Sequence, residues 1–466
     1  MARKKLDLTD ERISPFRIIF YLAWPLFLEQ VLSTLVSLAD TAMVGALGKE
    51  ATASVSISNS FVFLLNGAVI ALGVGLTAYV ARSVGAKDYE AAKAYIRHAF
   101  IILGFFGIPM ALITILLHRQ IPIWMGAEEI IVNDASDYVL ITSLFRIFTM
   151  AMMVLGSVFR GRGDTKTPLV INICVNIINI VGNYLLINPT HEVSVLGATF
   201  TVPGAGMGVQ GAALSTGFSW LIGGTVIAAM LFIKKDPTRI SIKDSFRPDW
   251  KLMQRVIKIS IPAMLERICM STSGIVVNRC IAFLGTTVVA ANTVYVTAES
   301  LSFMPGFAFA TTATTLVGQA LGAKKPDLAR KYTRCTNIMG GSILTAAGIL
   351  LYIFAPELAG IFTKDQEVIS IAVNCLRTVA YIQPIQVIAW VFAGALRGAG
   401  DTKWPFYITA ITNWGIRTLG VFLCIRVWGM GLPEACICMC LDVCMRLVLT
   451  WSRFATGKWK NAIKAA

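Results

Sequence analysis

A chain of 466 residues that is 56% apolar and 14% charged lies far from the soluble average of about 25% charged, so the composition excludes an ordinary soluble domain and indicates an all-α, polytopic membrane protein. The net charge of +15 does not indicate nucleic acid, because 31 of the 41 Lys and Arg fall at one set of helix ends. That asymmetry is the positive-inside pattern and places both termini in the cytoplasm of a plasma-membrane protein.

Twelve apolar stretches are long enough to span with tilt, at residues 16–47, 53–81, 92–117, 132–159, 168–189, 207–233, 252–284, 288–320, 328–355, 368–396, 405–427 and 431–453. The first is too long for a signal-peptide core and has no small-residue cleavage site, so it is expected to be retained. It carries two carboxylates, Glu29 and Asp40. Eleven residues of helix separate them, about 16 Å along the axis and nearly a whole number of turns, so both face the same way at different depths. A charge at membrane depth costs several kcal/mol and normally serves an internal cavity, which makes Asp40 the first functional candidate. Pro25, one turn before Glu29, removes a backbone hydrogen bond and invites bending there.

The loop RGRGDTKTP at 160–168 reads as a helix connection: a basic residue at a helix C-terminus, a glycine exit, Asp164 or Thr165 as the next cap, and Pro168 in the first turn. In the fifth span Asn172, Asn176, Asn179 and Asn183 interrupt an apolar run, and the last three recur at helical spacing as a polar stripe. Such amides serve either interhelical hydrogen bonding or a cation or proton site with a nearby carboxylate. Ser215 and Thr216 add hydroxyls in the sixth span, expected to bond the backbone one turn earlier.

The chain is an internal duplication. Pro25, Glu29, the Gly85-Ala86-Lys87 turn and the Arg160–Pro168 loop recur 237 positions later at Pro262, Glu266, Gly322–Lys324 and Arg397–Pro405. Met207-Gly208 recurs at Met430-Gly431 with an offset of 223, which places a 14-residue insertion around Asn188 to Gly206. Asp40 is not repeated, because Val277 holds its equivalent position. The expected organisation is an N-terminal lobe over 1–233, a basic cytoplasmic linker and the start of the seventh span over 234–260, and a C-terminal lobe with its tail over 261–466. An even number of crossings per repeat gives the lobes the same orientation about an axis along the membrane normal.

The second half holds Glu266, Arg267, Arg279, Glu299, Arg377, Arg417, Asp442 and Arg446 at membrane depth. Pairing with arginine and functional use are both open to Glu266 and Glu299, while Asp442 and Arg446, at i and i+4, read as a pair. Met150, Met152, Met153, Phe303 and Met304 fit packing or an apolar pocket for cations. The ten cysteines, most within apolar runs, have no metal-ligand spacing, and the three histidines are scattered. No HExxH or GxSxG motif is present, which disfavours a membrane enzyme.

Twelve spans in two repeats, Asp40 within LADTAMVGALG, the VGQALGAKK segment and the paired R-G-x-G-D-T-K-x-P loops together resemble the multidrug and toxin extrusion (MATE) transporters. The resemblance covers nearly the whole chain. It implies two pseudo-symmetric six-helix bundles, export of organic cations or other amphipathic drugs, and exchange for H⁺ or Na⁺ as the coupling ion, with no other cofactor. It likens Asp40 to the family's first-helix carboxylate, Pro25 to its bending proline, and Asn179, Asn183 and Thr216 to the rest of the first-lobe site. The chain departs from family members that carry a second carboxylate where Asn183 stands, an acid where Met270 stands (Glu266 lies one turn earlier), or an acid where Gln386 stands. Glu266, Glu299 and Gln386 remain candidates for a second-lobe contribution. A monomer in contact with membrane lipids, without nucleic acid, is expected. The alternative is a lipid-linked oligosaccharide flippase of the same superfamily, which needs a basic cavity for pyrophosphate and commonly carries more helices.

Overall fold

The computed structural model describes residues 7–195, 198–241 and 243–463, with the backbone alone over 191–195 and 198–202. Arg3, Lys4, Lys5, Lys464 and the side chain of His191 lie outside that description. Twelve helical spans follow in chain order: α1 Pro15–Gly45, α2 Lys49–Gly85, α3 Tyr89–Leu116, α4 Glu129–Leu144 with Arg146–Gly161, α5 Lys166–Ile187, α6 Gly208–Ile233, α7 Trp250–Ala282, α8 Thr286–Gly322, α9 Pro326–Ile353, α10 Gln366–Ala380 with Gln383–Gly398, α11 Lys403–Val427 and α12 Leu432–Ala455.

Two spans expected to be single helices are broken: α4 bends by 54° after Leu144 and α10 by 53° after Ala380. The breaks are pseudo-equivalent, since Arg146 and Gln383 open the second segments 237 positions apart. By length and apolar content alone seven spans qualify as membrane-crossing, or nine with each bent pair as one. The others, α7, α8 and α12, hold charges or many hydroxyls at depth and bury several of them inside the protein. The insertion between α5 and α6 is an antiparallel hairpin, β1 Pro189–Val195 and β2 Ala198–Ala205.

The duplication extends to backbone conformation. Lys87 and Lys324, which close α2 and α8, are the two non-glycine residues with positive φ among the described residues, at 57° and 60°. Left-handed exits of this kind end helices by satisfying terminal carbonyls. Gly163 and Gly400 repeat the device in the paired loops, at φ 77° and 84°.

Each repeat lends the first part of its leading helix to the other lobe. Ile18, Ile19, Leu22 and Ala23 of α1 pack with Phe309, Leu316, Tyr332 and Val391 of the second half, whereas Val44 packs with Tyr138, Ile187 and Ala213 of the first. Reciprocally, Val256 and Ile259 of α7 pack with Leu76, Val154 and Phe159, whereas Val277 and Ile281 pack with Leu376 and Cys436. Pro25 and Pro262 stand just beyond the exchanged segments, where a missing backbone hydrogen bond makes bending easiest.

The ends of α2 and α8 cross at the end of the molecule that carries the basic loops. A methyl group on Gly85 would meet the backbone of Gln319, and one on Gly322 would meet the backbone of Arg82. Arg82 and Gln319 are themselves related by the offset of 237, so the contact is reciprocal, as a two-fold axis through the crossing requires. The Gln319 amide donates to the Gly161 carbonyl at 2.9 Å and the Thr315 hydroxyl to the Arg160 carbonyl at 3.1 Å. The basic end is therefore closed.

Candidate functional site

The asparagine stripe of α5 and the far end of α1 meet at a cavity of about 200 Å³, lined by Asp40, Tyr138, Asn176, Asn179, Asn183 and Thr216 among others. Asp40 is the one ionisable carboxylate in this lining, and no Lys or Arg is there. The Asn183 amide donates to Asp40 Oδ1 at 2.6 Å. With the Asn179 NH₂ group turned towards the carboxylate, it donates to Asp40 Oδ1 at 2.9 Å and Oδ2 at 3.2 Å, and its carbonyl accepts from the Thr216 hydroxyl at 3.3 Å. The opposite orientation sets oxygen against oxygen, so the neighbours fix the amide.

Four predicted residues, Asp40, Asn179, Asn183 and Thr216, are thus brought together. Neutral donors hold the carboxylate in place but supply no positive charge. A carboxylate without a counter-ion in a low-dielectric cavity attracts a mobile cation or a proton. The hydroxyls of α6 differ from expectation: Ser215 donates across to the Asn179 carbonyl at 2.8 Å instead of to its own helix. That bond anchors the turn of α5 that carries Asn179. Tyr138, whose hydroxyl points to Asn59 at 3.4 Å, was not distinguishable in the sequence from a core aromatic.

The second-half candidates lie elsewhere. Glu266 accepts from Arg397 at 2.6 Å and from Thr409 at 3.2 Å. Its equivalent Glu29 accepts from Arg160 at 2.8 Å and Asn172 at 3.0 Å. Glu299 of α8 lies beside Tyr295 and Arg417, and the buried carbonyl oxygen of Gln386 has no partner among the described residues. None of Glu266, Glu299 and Gln386 lines the Asp40 cavity. Asp442 pairs with Arg446 at 2.9 Å, and Arg446 also donates to Asn413 at 3.0 Å. Among the described residues no cluster of three or more His, Cys, Asp or Glu is arranged to hold a metal.

Asp164 caps α5, accepting from the Thr167 amide at 3.2 Å and its hydroxyl at 2.8 Å, and pairs with Lys234. Its equivalent Asp401 differs from the expected cap, since it pairs with Arg453 at 2.8 Å instead. Lys403 begins α11 without a side-chain cap.

The sequence profile of a family described as MatE matches residues 25–185 and again 262–423. The chain is 28% identical to the probable multidrug resistance protein NorM of Thermotoga maritima, over 94% of this chain and 92% of that one. It is 26% identical to the probable multidrug resistance protein YoeA of Bacillus subtilis, over 86% and 84% respectively. A solved structure described as the outward-facing conformation of a multidrug resistance MATE family transporter superposes with a TM-score of 0.85 over the whole of both chains, at 21% identity.

Proposed function

Because this chain belongs to the MatE family of membrane transporters, we propose that it exports organic cations or other amphipathic drugs in exchange for H⁺ or Na⁺, with Asp40 as the residue at which coupling ion and cargo compete. The protein is a multi-pass membrane transporter and not an enzyme. The observation that carries the finer reading is the Asp40 carboxylate, held by two amides and left without a fixed cation.

In this reading a proton or Na⁺ neutralises Asp40 in one state and a cationic drug replaces it in the other. Either change alters the carboxylate's demand on Asn179 and Asn183, and so the seating of α1 on α5. Pro25, where α1 bends most easily, passes that difference to the segment of α1 that packs in the opposite lobe. Glu266 and Glu29 belong to the frame, since each already has an arginine. The protein works as a monomer in the plasma membrane with both termini cytoplasmic, and its basic end faces anionic lipid headgroups. The flippase alternative requires a basic cavity for pyrophosphate, and of the four arginines that line the cavity between the lobes three are already paired with Glu29, Glu266 and Asp442.

Asp40→Asn tests this directly. The amide is isosteric, so protein level and thermal stability should stay near wild type while export of a cationic dye falls at least tenfold and loses its dependence on the pH or Na⁺ gradient. Wild-type export with unchanged ion dependence would reject the assignment.

A further inference from the structure

A cavity of about 360 Å³ opens at the basic end of the second lobe, walled by the start of α7, the α10–α11 loop, the first turns of α11 and the tail beyond α12. Asp401 is the one carboxylate among its lining residues, and Arg453 already holds it at 2.8 Å. Lys403 and Lys458 line the same cavity, with Lys258 of α7 a third lysine in the lining. The sign of the cavity is therefore positive. The start of α11, which has no side-chain cap, adds the partial charge of a helix N-terminus to the same field.

The aromatic lining puts this charge at the depth of lipid headgroups. Trp404 and Tyr407 are both exposed and meet edge-on with centroids 6.4 Å apart, and the Arg453 guanidinium lies over the Trp404 ring at 4.7 Å. Trp, Tyr and basic side chains at the end of a spanning helix mark the membrane–water interface. From there Ile411 and Trp414 continue the exposed face of α11 at helical spacing. An apolar stripe that starts at a basic cavity fits a molecule with an anionic head and apolar chains, and a soluble phosphate has no use for the stripe. A zwitterionic headgroup brings its own ammonium against the same lysines.

The first lobe does not repeat the arrangement. Tyr21, Thr167 and Val170 stand at the positions equivalent to Lys258, Trp404 and Tyr407. Lys166, the equivalent of Lys403, lies over the Tyr21 ring at 4.6 Å, and Asp164 is held by Lys234. The charges there are engaged within the protein.

We propose that the cavity at Lys403 and Lys458 binds the phosphate of an anionic phospholipid from the cytoplasmic leaflet, with the acyl chains laid along Tyr407, Ile411 and Trp414 of α11. The proposal rests on the membrane orientation given above and on nothing about the cargo. The site also touches both lobes. Ile259 in its wall packs with Leu76 and Phe159 of the first lobe, while its carbonyl accepts from the Thr402 hydroxyl of the second at 2.8 Å. A bound headgroup therefore holds the exchanged segment of α7 against the second lobe.

The test uses the purified full-length protein in detergent, with phosphatidylglycerol and phosphatidylcholine as probes, read by native mass spectrometry and thermal melting. Wild type should retain phosphatidylglycerol about tenfold or more in preference to phosphatidylcholine, and only the anionic lipid should raise the melting temperature. The double variant Lys403→Gln with Lys458→Gln should lose most of that preference, about fivefold for each lysine. Lys166→Gln, the first-lobe equivalent, should leave it unchanged. A Lys166→Gln protein that lost as much, or a double variant that lost nothing, would mean general attraction to a basic face and would overturn the site. Equal retention of the two lipids by wild type would overturn it without recourse to any variant. Glycerol phosphate at the same concentration should not displace the lipid, and displacement would make the cavity a soluble-phosphate site instead. None of these readings involves transport, so this site and the Asp40 assignment fail separately.

Discussion

Glu29 and Glu266 are held almost alike: each accepts from an arginine at the end of the bent span of its own repeat, at 2.8 and 2.6 Å, and from a polar residue of the helix that follows, at 3.0 and 3.2 Å. Eleven residues further along the same two helices the likeness ends. Asp40 faces a polar cavity, whereas Val277 is 3% exposed in an apolar cluster with Cys280, Leu376 and Cys436. The amides that hold Asp40 are lost as well, since Ile416 and Gly420 occupy the positions equivalent to Asn179 and Asn183. Near the prolines, where each leading helix changes lobes, the demand is mechanical and both repeats meet it. Beyond that point the demand is chemical, and one repeat suffices.

The largest effect should come from forcing the second lobe to imitate the first. Val277→Asp places a carboxylate among apolar side chains with no amide to receive it, at a cost of about 3 kcal/mol or more. Expression level and thermal melting should both fall clearly. A well-folded Val277→Asp protein with a new cation-binding site would show that the environment is not what separates the repeats.

Next in size is the crossing of α2 and α8. Gly85→Ala and Gly322→Ala both push a methyl into backbone, at related places. Each should shift the balance away from the closed basic end by tenfold or more, read as longer distances between spin labels on the two helix ends. The symmetry of the contact requires similar shifts, and an effect from one substitution alone would deny the two-fold relation.

Glu29→Gln and Glu266→Gln should follow, each costing roughly 1 to 3 kcal/mol, since the arginines keep partial access to water and an abandoned cation is only partly buried. Double-mutant cycles with Arg160 and Arg397 should return similar coupling energies. If Glu266→Gln removed the ion dependence of export and Glu29→Gln did not, Glu266 would be part of the coupling site.

Much of this was legible in the sequence because it is periodic or repeated. The spans follow from apolar length, the lobes from the constant offset, and the Asp40 cluster from a carboxylate and amides at helical spacing inside apolar runs. The pairing of Glu29 with Arg160 and of Glu266 with Arg397 was not legible: all four residues recur at one offset, but 131 residues of separation names no partner, and Arg160 read only as the basic end of a helix. The exchange of Ile18 to Ala23 into the opposite lobe was not legible, since an apolar face does not name the face it packs against. Nor were the breaks after Leu144 and Ala380: no proline stands at the first, and Pro384 follows the second without marking its angle.

The smallest effect concerns the paired loops, and there the repeats should respond with opposite sign. Burial would raise the Asp164 carboxyl, but Lys234 and the hydroxyl and amide of Thr167 outweigh it and hold it below the ordinary range. Burial also raises Asp401, and there Arg453 with Lys403 does not offset it, so that carboxyl sits above the ordinary range. A lowered carboxyl contributes stability that is present above the unfolded value, about 3.9, and is lost as pH falls through the folded one. A raised carboxyl contributes stability that is present below the unfolded value and lost as pH rises through the folded one. Asp164→Asn should therefore destabilise at neutral pH, by about 0.5 to 2 kcal/mol as for other lost caps, and approach wild type only in strong acid. Asp401→Asn should be near neutral or slightly stabilising at pH 7, since Arg453 keeps its contact with the Trp404 ring at 4.7 Å, and that gain should vanish in acid. Thermal melting of the two variants between pH 3 and pH 7 decides the matter, and parallel pH profiles would mean that the two loops carry the same electrostatics after all.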